Sequence, residues 1–304
     1  MNNRNYWKEY YVVETDADRI ERKIKSRSFV CEGRKFELMY FQRGKKAPNI
    51  LISQGSGGHA LVFAELGFQM YLAGYNVFIM PKHGGYTIDD LMARHSSALR
   101  HITSHFNERI GVFAEGLGGF VVFYLALAHG PMKSAVYQNA PAILVEKKFK
   151  EAMTRGKGAA RRRRLMLPFI RFVPAVLSGI RIPLRLYLDF VELIDTKEEN
   201  RRIENRLVRD GYMNDPDFDT RYPLSAVKSL VLTPPPRPLS DLKTPTMFLA
   251  AARGWSDPSY VRDLYDRLPH IKKELVEIDG SVFWMLSHPK EAARVICEWF
   301  EETV

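Results

Sequence analysis

Cysteine is scarce in this sequence of 304 residues. The only two, Cys31 and Cys297, are far apart and form no CxxC motif. A disulfide framework and a cysteine-based metal site are therefore not expected, and two free thiols in a reducing, cytoplasmic compartment are predicted. The first residues contain no apolar run of the kind found in secretory signals.

Motifs that would indicate a metal or a cofactor are also scarce. The one HxxxH spacing, His101 to His105, lies on the helix predicted at 88–106, where His101 is taken as a packing or surface residue, and no cluster of paired carboxylates suggests a metal. The glycine-rich residues 55–58 lack the Lys-Ser/Thr ending that a phosphate-binding loop needs. The sequence therefore predicts neither a metal site nor a bound cofactor.

Positive charge is plentiful, and it is concentrated in one region. The net charge is +10, and residues 147–185 contain twelve Lys and Arg against one acidic residue. Because no nucleic-acid-reading motif accompanies this charge, a nucleic-acid partner is not predicted. The run Arg161, Arg162, Arg163 and Arg164 favours a solvated helix turn, and weak contact with an anionic membrane surface is the alternative.

No long apolar run is free of interruptions. Residues 165–184 are mostly apolar, but they contain three prolines and two arginines before Leu184. These interruptions argue against a membrane-spanning helix, for which about 20 predominantly apolar residues are needed. A lid whose apolar side faces a ligand cavity is the preferred interpretation of this segment.

Short apolar strands alternate with helical patterns along most of the chain. This alternation predicts an α/β protein with a doubly wound, mostly parallel sheet. A hairpin is expected at 29–41, strands at 49–53, 76–80, 109–113, 134–138, 246–251 and 274–278, and helices at 59–73, 88–106, 121–127, 259–268 and 289–301.

The alternation pauses near Pro141 and resumes at Thr246. Residues 1–141 and 242–304 are therefore predicted to form one α/β core. Residues 142–241, which are rich in helix formers and interrupted by proline, are predicted to form an inserted helical cap.

The rest of the chain is organised around residues 108–120. A β-branched and aromatic strand leads into a turn with small residues at both shoulders, Ala114 and Gly118, and a buried apolar helix follows. This strand–turn–helix pattern is typical of a turn that lifts its central residue above a parallel sheet. Here the central residue is Gly116.

Four features together resemble the α/β-hydrolase family, and in particular its lysophospholipase and monoacylglycerol-lipase branch with a cap domain. They are the glycine-rich residues 54–58, the turn 114–118, Asp257 after a late strand, and the loop 280–284. The resemblance implies a nucleophile at Gly116, an acid at Asp257 and a histidine at Val282 or Phe283. It also implies oxyanion-binding backbone amides at Ser56 and Leu117.

The residues present at the nucleophile and histidine positions cannot perform those roles. Glycine has no attacking oxygen, and neither Val282 nor Phe283 can accept a proton. Removing the serine or histidine of a catalytic triad typically costs about a millionfold in turnover. Glycine does relieve the backbone strain of such a turn, which costs another residue about 1–3 kcal/mol. The structural alternative for Asp257 is a helix N-cap preceding Pro258.

Other residues at this edge of the sheet are candidates for ligand contact or for an alternative base. They are Gln54, His83, Glu115, Trp255 and Trp284, and a Ser56–His83 pair is one conceivable nucleophile and base. Three hypotheses remain open: a protein that binds a small apolar or acyl ligand without serine-hydrolase activity, an ester or thioester hydrolase with altered residues, and a cofactor-free lyase-type reaction.

Overall fold

A computed structural model describes residues 5–139, 180–183, 190–254 and 257–304. Its centre is an eight-stranded sheet. The strands are β1 (Lys25–Cys31), β2 (Arg34–Phe41), β3 (Asn49–Ser53), β4 (Asn76–Ile79), β5 (Ile110–Glu115), β6 (Ser134–Gln138), β9 (Thr246–Arg253) and β10 (Lys273–Ser281). A separate pair of short strands, β7 (Arg181–Pro183) and β8 (Arg221–Pro223), forms an antiparallel ribbon.

The strands of the large sheet follow the spatial order β1-β2-β4-β3-β5-β6-β9-β10. Strand β2 is antiparallel to both of its neighbours, and every pairing from β4 to β10 is parallel. The carboxyl ends of β3, β5, β6, β9 and β10 therefore meet at one edge of the sheet, where open α/β folds bind their ligands.

Helices flank this sheet. The described ones are α1 (Tyr6–Tyr10), α2 (Ala17–Glu21), α3 (Ala64–Leu72), α4 (Ile88–His105), α5 (Gly116–Leu127), α6 (Glu198–Asn205), α7 (Leu224–Leu232), α8 (Pro258–Arg267), α9 (Trp284–Ser287) and α10 (Pro289–Thr303). Helix α3 packs against α10, and α4 packs against α5. None of the helices in the described ranges combines the length and apolarity needed to cross a bilayer.

Local sequence explains where the main helices begin. Thr87 and Asp90 form a reciprocal capping box at the start of α4, which satisfies two backbone donors that the helix leaves unpaired. Pro258 and Pro289 occupy the first positions of α8 and α10, where a missing N–H costs nothing. Helix α5 is apolar on all sides and buried from Leu117 to Leu127, as a central helix must be.

The described part of the predicted insertion 142–241 contains α6, a π-helix (Arg206–Tyr212), the β7–β8 ribbon and α7. The antiparallel ribbon was not expected there, because each of its strands is only three residues long and neither shows an alternating pattern. The basic run 161–164 and most of residues 165–184 lie outside the described residues.

The predicted doubly wound, mostly parallel sheet is confirmed. The strands predicted at 49–53 and 134–138 agree with β3 and β6. One difference is at the last strand, where a loop was expected to begin at Gly280. Strand β10 continues through an irregularity to Ser281 instead, because Ser281 pairs with Arg253 of β9. Cys31 and Cys297 are both buried free thiols, as predicted.

Candidate functional site

The turn between β5 and α5 has the geometry that its sequence predicts. Gly116 is the first residue of α5 and has a φ of 52°, in the left-handed region that favours glycine. The Gly118 amide donates to the Gln54 carbonyl over 3.1 Å. A Cβ at Gly118 would overlap Ser53, so only glycine lets α5 approach β3 this closely. Gly116 therefore occupies the apex of the turn, with no side chain to react.

The glycine-rich loop 54–58 lies directly beside this turn. Gly57 has a φ of 84°, and its amide donates to the Tyr222 hydroxyl over 2.8 Å. Tyr222 is buried and belongs to β8, so the insertion reaches the loop through this residue. The Tyr222 hydroxyl also contacts the Ser56 side chain.

The backbone amides predicted to bind an oxyanion, those of Leu117 and Ser56, both lie at the carboxyl edge of the sheet. The Leu117 amide belongs to the first turn of α5, where N–H groups have no partner within the helix. Ser56 follows Gly55 on the neighbouring loop, half-buried at the same edge of the sheet. Their role as oxyanion donors stays a prediction.

The predicted histidine position is apolar and closed. Val282 is 0% exposed, and its amide donates to the Arg253 carbonyl. The Phe283 amide donates to Ser281 Oγ, and the Phe283 ring lies 5.9 Å from the ring of Tyr212, centroid to centroid. His288 is the N-cap residue of α10, and its Nδ1 lies 3.0 Å from Ser287 Oγ.

Asp257 is the N-cap of α8, as its structural alternative predicted. Its carboxylate accepts from the backbone amide of Ser259 over 2.9 Å and from the hydroxyl of the same residue over 2.7 Å. A second role as the acid of a triad stays a prediction. Trp255 lies outside the described residues. Trp284 is buried, and its indole N–H donates to Glu291 over 3.4 Å.

His83 belongs to a buried cluster below the edge of the sheet. Its Nε2 lies 3.2 Å from Ser53 Oγ, rather than near Ser56, and the same hydroxyl lies 2.7 Å from His95 Nε2. His83 is 1% exposed, and burial together with the charge of His95 holds its pKa well below the ordinary value. Burial lowers the pKa of His95 to about 4. The arrangement supports a packing role for both histidines and counts against His83 as a base.

Glu115 is closer to the candidate site than its sequence position indicated. Its carboxyl group packs against the backbone of Gly55, where any side chain would overlap it. Burial raises the pKa of Tyr212 well above its ordinary value, and the negative charge of Glu115 adds to this effect. Glu115 therefore lies against the glycine-rich loop and near Tyr212 of the predicted insertion.

Two buried carboxylates that no sequence pattern indicates join the predicted insertion to the rest of the chain. Asp215 Oδ2 lies 2.7 Å from His59 Nε2 and accepts from the Tyr11 hydroxyl over 2.6 Å. Glu204 accepts from Ser281 Oγ and from the backbone amide of Asp195, each over 2.6 Å. His59 directly follows the glycine-rich loop, but nothing in the sequence pairs it with a residue 156 positions later.

Aromatic side chains of the predicted insertion pack against one another beside the glycine-rich loop. The rings of Tyr212 and Phe218 are stacked with centroids 4.8 Å apart, and Phe190 lies edge-on to both. Phe218 packs against the backbone of Gly57. Within the described ranges, no group of three or more His, Cys, Asp or Glu side chains could hold a metal ion.

No protein-family model matches the sequence, and no curated protein matches it either. Solved structures do match it. A hypothetical protein from Pseudomonas aeruginosa has a TM-score of 0.69 at 16% identity, with 98% of this chain and 97% of that chain covered. A monoacylglycerol lipase from Paleococcus ferrophilus has a TM-score of 0.63 at 17% identity, covering 92% and 99%.

A thermophilic esterase from Thermogutta terrifontis is similar as well, with a TM-score of 0.58 at 15% identity, covering 92% of this chain and 99% of that chain. At these identities the likeness concerns the fold. It agrees with the mostly parallel eight-stranded sheet and the flanking helices of this structure. The chain has the α/β-hydrolase fold.

Proposed function

We propose that this chain binds a small apolar or acyl ligand beneath the insertion 142–241 and has little or no serine-hydrolase activity. The observation that carries the proposal is Gly116 at the apex of the turn, opposite an apolar histidine position. Acyl transfer by a serine needs a hydroxyl at the apex and a histidine to take its proton. This chain has neither group at those positions.

Ligand binding is supported by what surrounds the vacant position. The glycine-rich loop and the first turn of α5 keep backbone amides at the carboxyl edge of the sheet. The aromatic side chains of the insertion supply apolar surface on the other side. Ligand sites of this kind are mostly apolar, with a few placed polar groups.

A labelling and binding experiment tests the proposal. A fluorophosphonate probe is expected to leave the purified chain unlabelled, because it reacts only with an activated serine. The same preparation is expected to bind a fluorescent fatty-acyl probe that an unlabelled acyl compound displaces. Labelling at any serine, or absence of acyl binding, would overturn the proposal.

An ester or thioester hydrolase with altered residues is the second candidate. It is supported by the preserved turn and glycine-rich loop and by neighbours described as a monoacylglycerol lipase and an esterase. The double variant Gly116→Ser with Val282→His or Phe283→His is then expected to cleave p-nitrophenyl esters. A folded but inactive double variant would count against this candidate.

Weak contact of the basic segment with an anionic membrane surface is a further part of the proposal. Its support is the charge of residues 147–185, which lie largely outside the described residues. Sedimentation with vesicles that contain phosphatidylserine tests it. Binding is expected to weaken with added salt and when Arg161–Arg164 are replaced by Gln, and equal binding to neutral vesicles would contradict it.

A further inference from the structure

Gln138 is a buried side chain whose hydrogen-bonding groups are all unused. It is the last residue of β6 and is 2% exposed. Neither its Oε1 nor its Nε2 has a hydrogen-bond partner. Because buried polar groups are almost always paired, a fully unpaired carboxamide needs an explanation.

The position of Gln138 places this carboxamide at the candidate site. Gln138 pairs with Glu115 in the parallel β5–β6 register. Side chains at paired positions of neighbouring strands lie on the same face of a sheet, about 5 Å apart. The Glu115 carboxyl group packs against Gly55 of the glycine-rich loop, and Gly116 follows Glu115 directly. Gln138 therefore stands one strand away from the apex of the turn.

Two further buried carboxamides at this edge are half used. Gln54, which follows β3, donates its Nε2 to the Met80 carbonyl and leaves Oε1 unpaired. Asn139 accepts from the Ala251 amide with Oδ1 and leaves Nδ2 unpaired. Each is held by one atom and keeps the other available. The ends of β3 and β6, on either side of β5, thus carry unpaired donors and acceptors at the same edge of the sheet.

We infer that Gln138 binds the polar head of the ligand and that this head is a carboxamide, so that the ligand is an acyl amide rather than an ester or a carboxylate. The inference rests on the proposed function and names the ligand class of that same site. A carboxamide head supplies an acceptor for Gln138 Nε2 and an N–H donor for Gln138 Oε1. The two contacts form together in one plane.

The other acyl head groups fit less well, for chemical reasons. An ester has no donor, so it would leave Gln138 Oε1 unpaired in a buried place. A carboxylate has no donor either, and it would bring a second negative charge next to Glu115. An unpaired buried acceptor and a buried like-charge pair both weaken binding.

The experiment compares three ligands of one chain length, namely dodecanamide, dodecanoic acid and methyl dodecanoate. Each displaces a fluorescent fatty-acyl probe from the unaltered chain. The amide is expected to bind about tenfold more tightly than the ester, which corresponds to the one further hydrogen bond that its N–H makes with Gln138 Oε1. This comparison needs no variant, so it does not depend on how a substitution folds.

The variant Gln138→Met keeps a side chain of similar length and removes both polar atoms. We expect it to weaken dodecanamide binding by at least about tenfold and methyl dodecanoate binding less, because the ester loses only its contact with Gln138 Nε2. Gln42→Met is the matched control, because Gln42 accepts from Lys25 on the surface, away from the site. The control is expected to change neither affinity.

Thermal unfolding of the unliganded chain adds a readout that separates a ligand-binding role from a structural one. Gln138→Met is expected to raise Tm, since it removes an unpaired buried carboxamide. A lower Tm together with an equal loss of affinity for all three ligands would show a structural role and overturn the inference. Equal binding of ester and amide by the unaltered chain would also overturn it, although ligand binding would stand. Binding of none of the three would contradict the proposed function itself.

Discussion

The two ends of the candidate site differ in how much room their residues leave. At the turn between β5 and α5, Gly116 begins the helix with a φ of 52° and carries no side chain. At the end of β10, the predicted histidine position is taken by Val282 and Phe283, which are part of the hydrophobic core. The turn therefore leaves its central position without a side chain, whereas the end of β10 is filled by two buried side chains.

The insertion is fixed to both ends by a buried carboxylate. Asp215 joins it to His59 beside the glycine-rich loop, and Glu204 joins it to Ser281 beside Phe283. Removing one partner of such a buried network costs more than the net strength of the bond, because the other partner stays buried and unpaired. Both attachments therefore hold the insertion against the sheet.

The largest effect is expected where the backbone of the turn is tightest. Gly118→Ala would place a Cβ 2.6 Å from the Gln54 carbonyl oxygen, which belongs to the backbone and has little room to move. We expect a loss of about 3 kcal/mol in the free energy of unfolding, measured by urea denaturation. Gly119→Ala is the control, because its Cβ would meet nothing closer than 3.8 Å and would gain helix propensity. Equal stability of the two variants would show that close approach of α5 to β3 does not define the turn.

The next prediction compares the filled and the vacant positions directly. Phe283→His replaces a buried ring with a polar one, and we expect it to lower the free energy of unfolding by about 2–3 kcal/mol. Gly116→Ser is expected to cost about 1–2 kcal/mol, since the side chain must adopt a positive φ. Phe283→Leu separates the loss of aromatic packing from the burial of a polar group. If Phe283→His were as stable as the unaltered chain, the end of β10 would accommodate a polar side chain as readily as the turn does.

Local patterns predicted the frame of this molecule well. The buried apolar strand Asn49–Ser53, the capping box at Thr87 and the small residues around Gly116 each depend on interactions within a few residues. Such signals can be read from sequence alone. The parallel sheet followed from the alternation of these elements.

The polar contacts of the site could not be predicted in the same way. His59 and Asp215, and likewise Glu204 and Ser281, are joined only by the tertiary fold. The sequence predicted that His83 lies near the carboxyl edge of the sheet, but it could not show that His83 contacts Ser53 and His95 there. Gln138 gave no signal either, because an unpaired carboxamide is recognised only when its surroundings are known.

The smallest expected effect is a difference between Asp215 and Glu204 in how their contribution to stability changes with pH. Burial acts to raise the pKa of Asp215, but hydrogen bonds from His59 and Tyr11 outweigh it, so the pKa lies below its ordinary value. Burial raises the pKa of Glu204, and the hydrogen bond from Ser281 only partly offsets this. A carboxyl group whose pKa is lowered by folding stabilises the fold above its unfolded pKa, which is about 3.9 for Asp, and this stabilisation is lost as the pH falls. A carboxyl group whose pKa is raised by folding stabilises the fold below its unfolded pKa, which is about 4.3 for Glu, and this stabilisation is lost as the pH rises.

The matched variants Asp215→Asn and Glu204→Gln test these opposite signs. Asp215→Asn is expected to cost more free energy of unfolding at pH 7 than at pH 3, because the lowered pKa makes the charged carboxylate contribute more stability at the higher pH. Glu204→Gln is expected to cost less at pH 7 than at pH 3, because the neutral amide avoids burying a charge. Urea unfolding at both pH values measures the differences. If the cost of both substitutions changed in the same direction between pH 3 and pH 7, Asp215 and Glu204 would hold the insertion through equivalent contacts. The two ends of the site would then differ only at residues 116, 282 and 283.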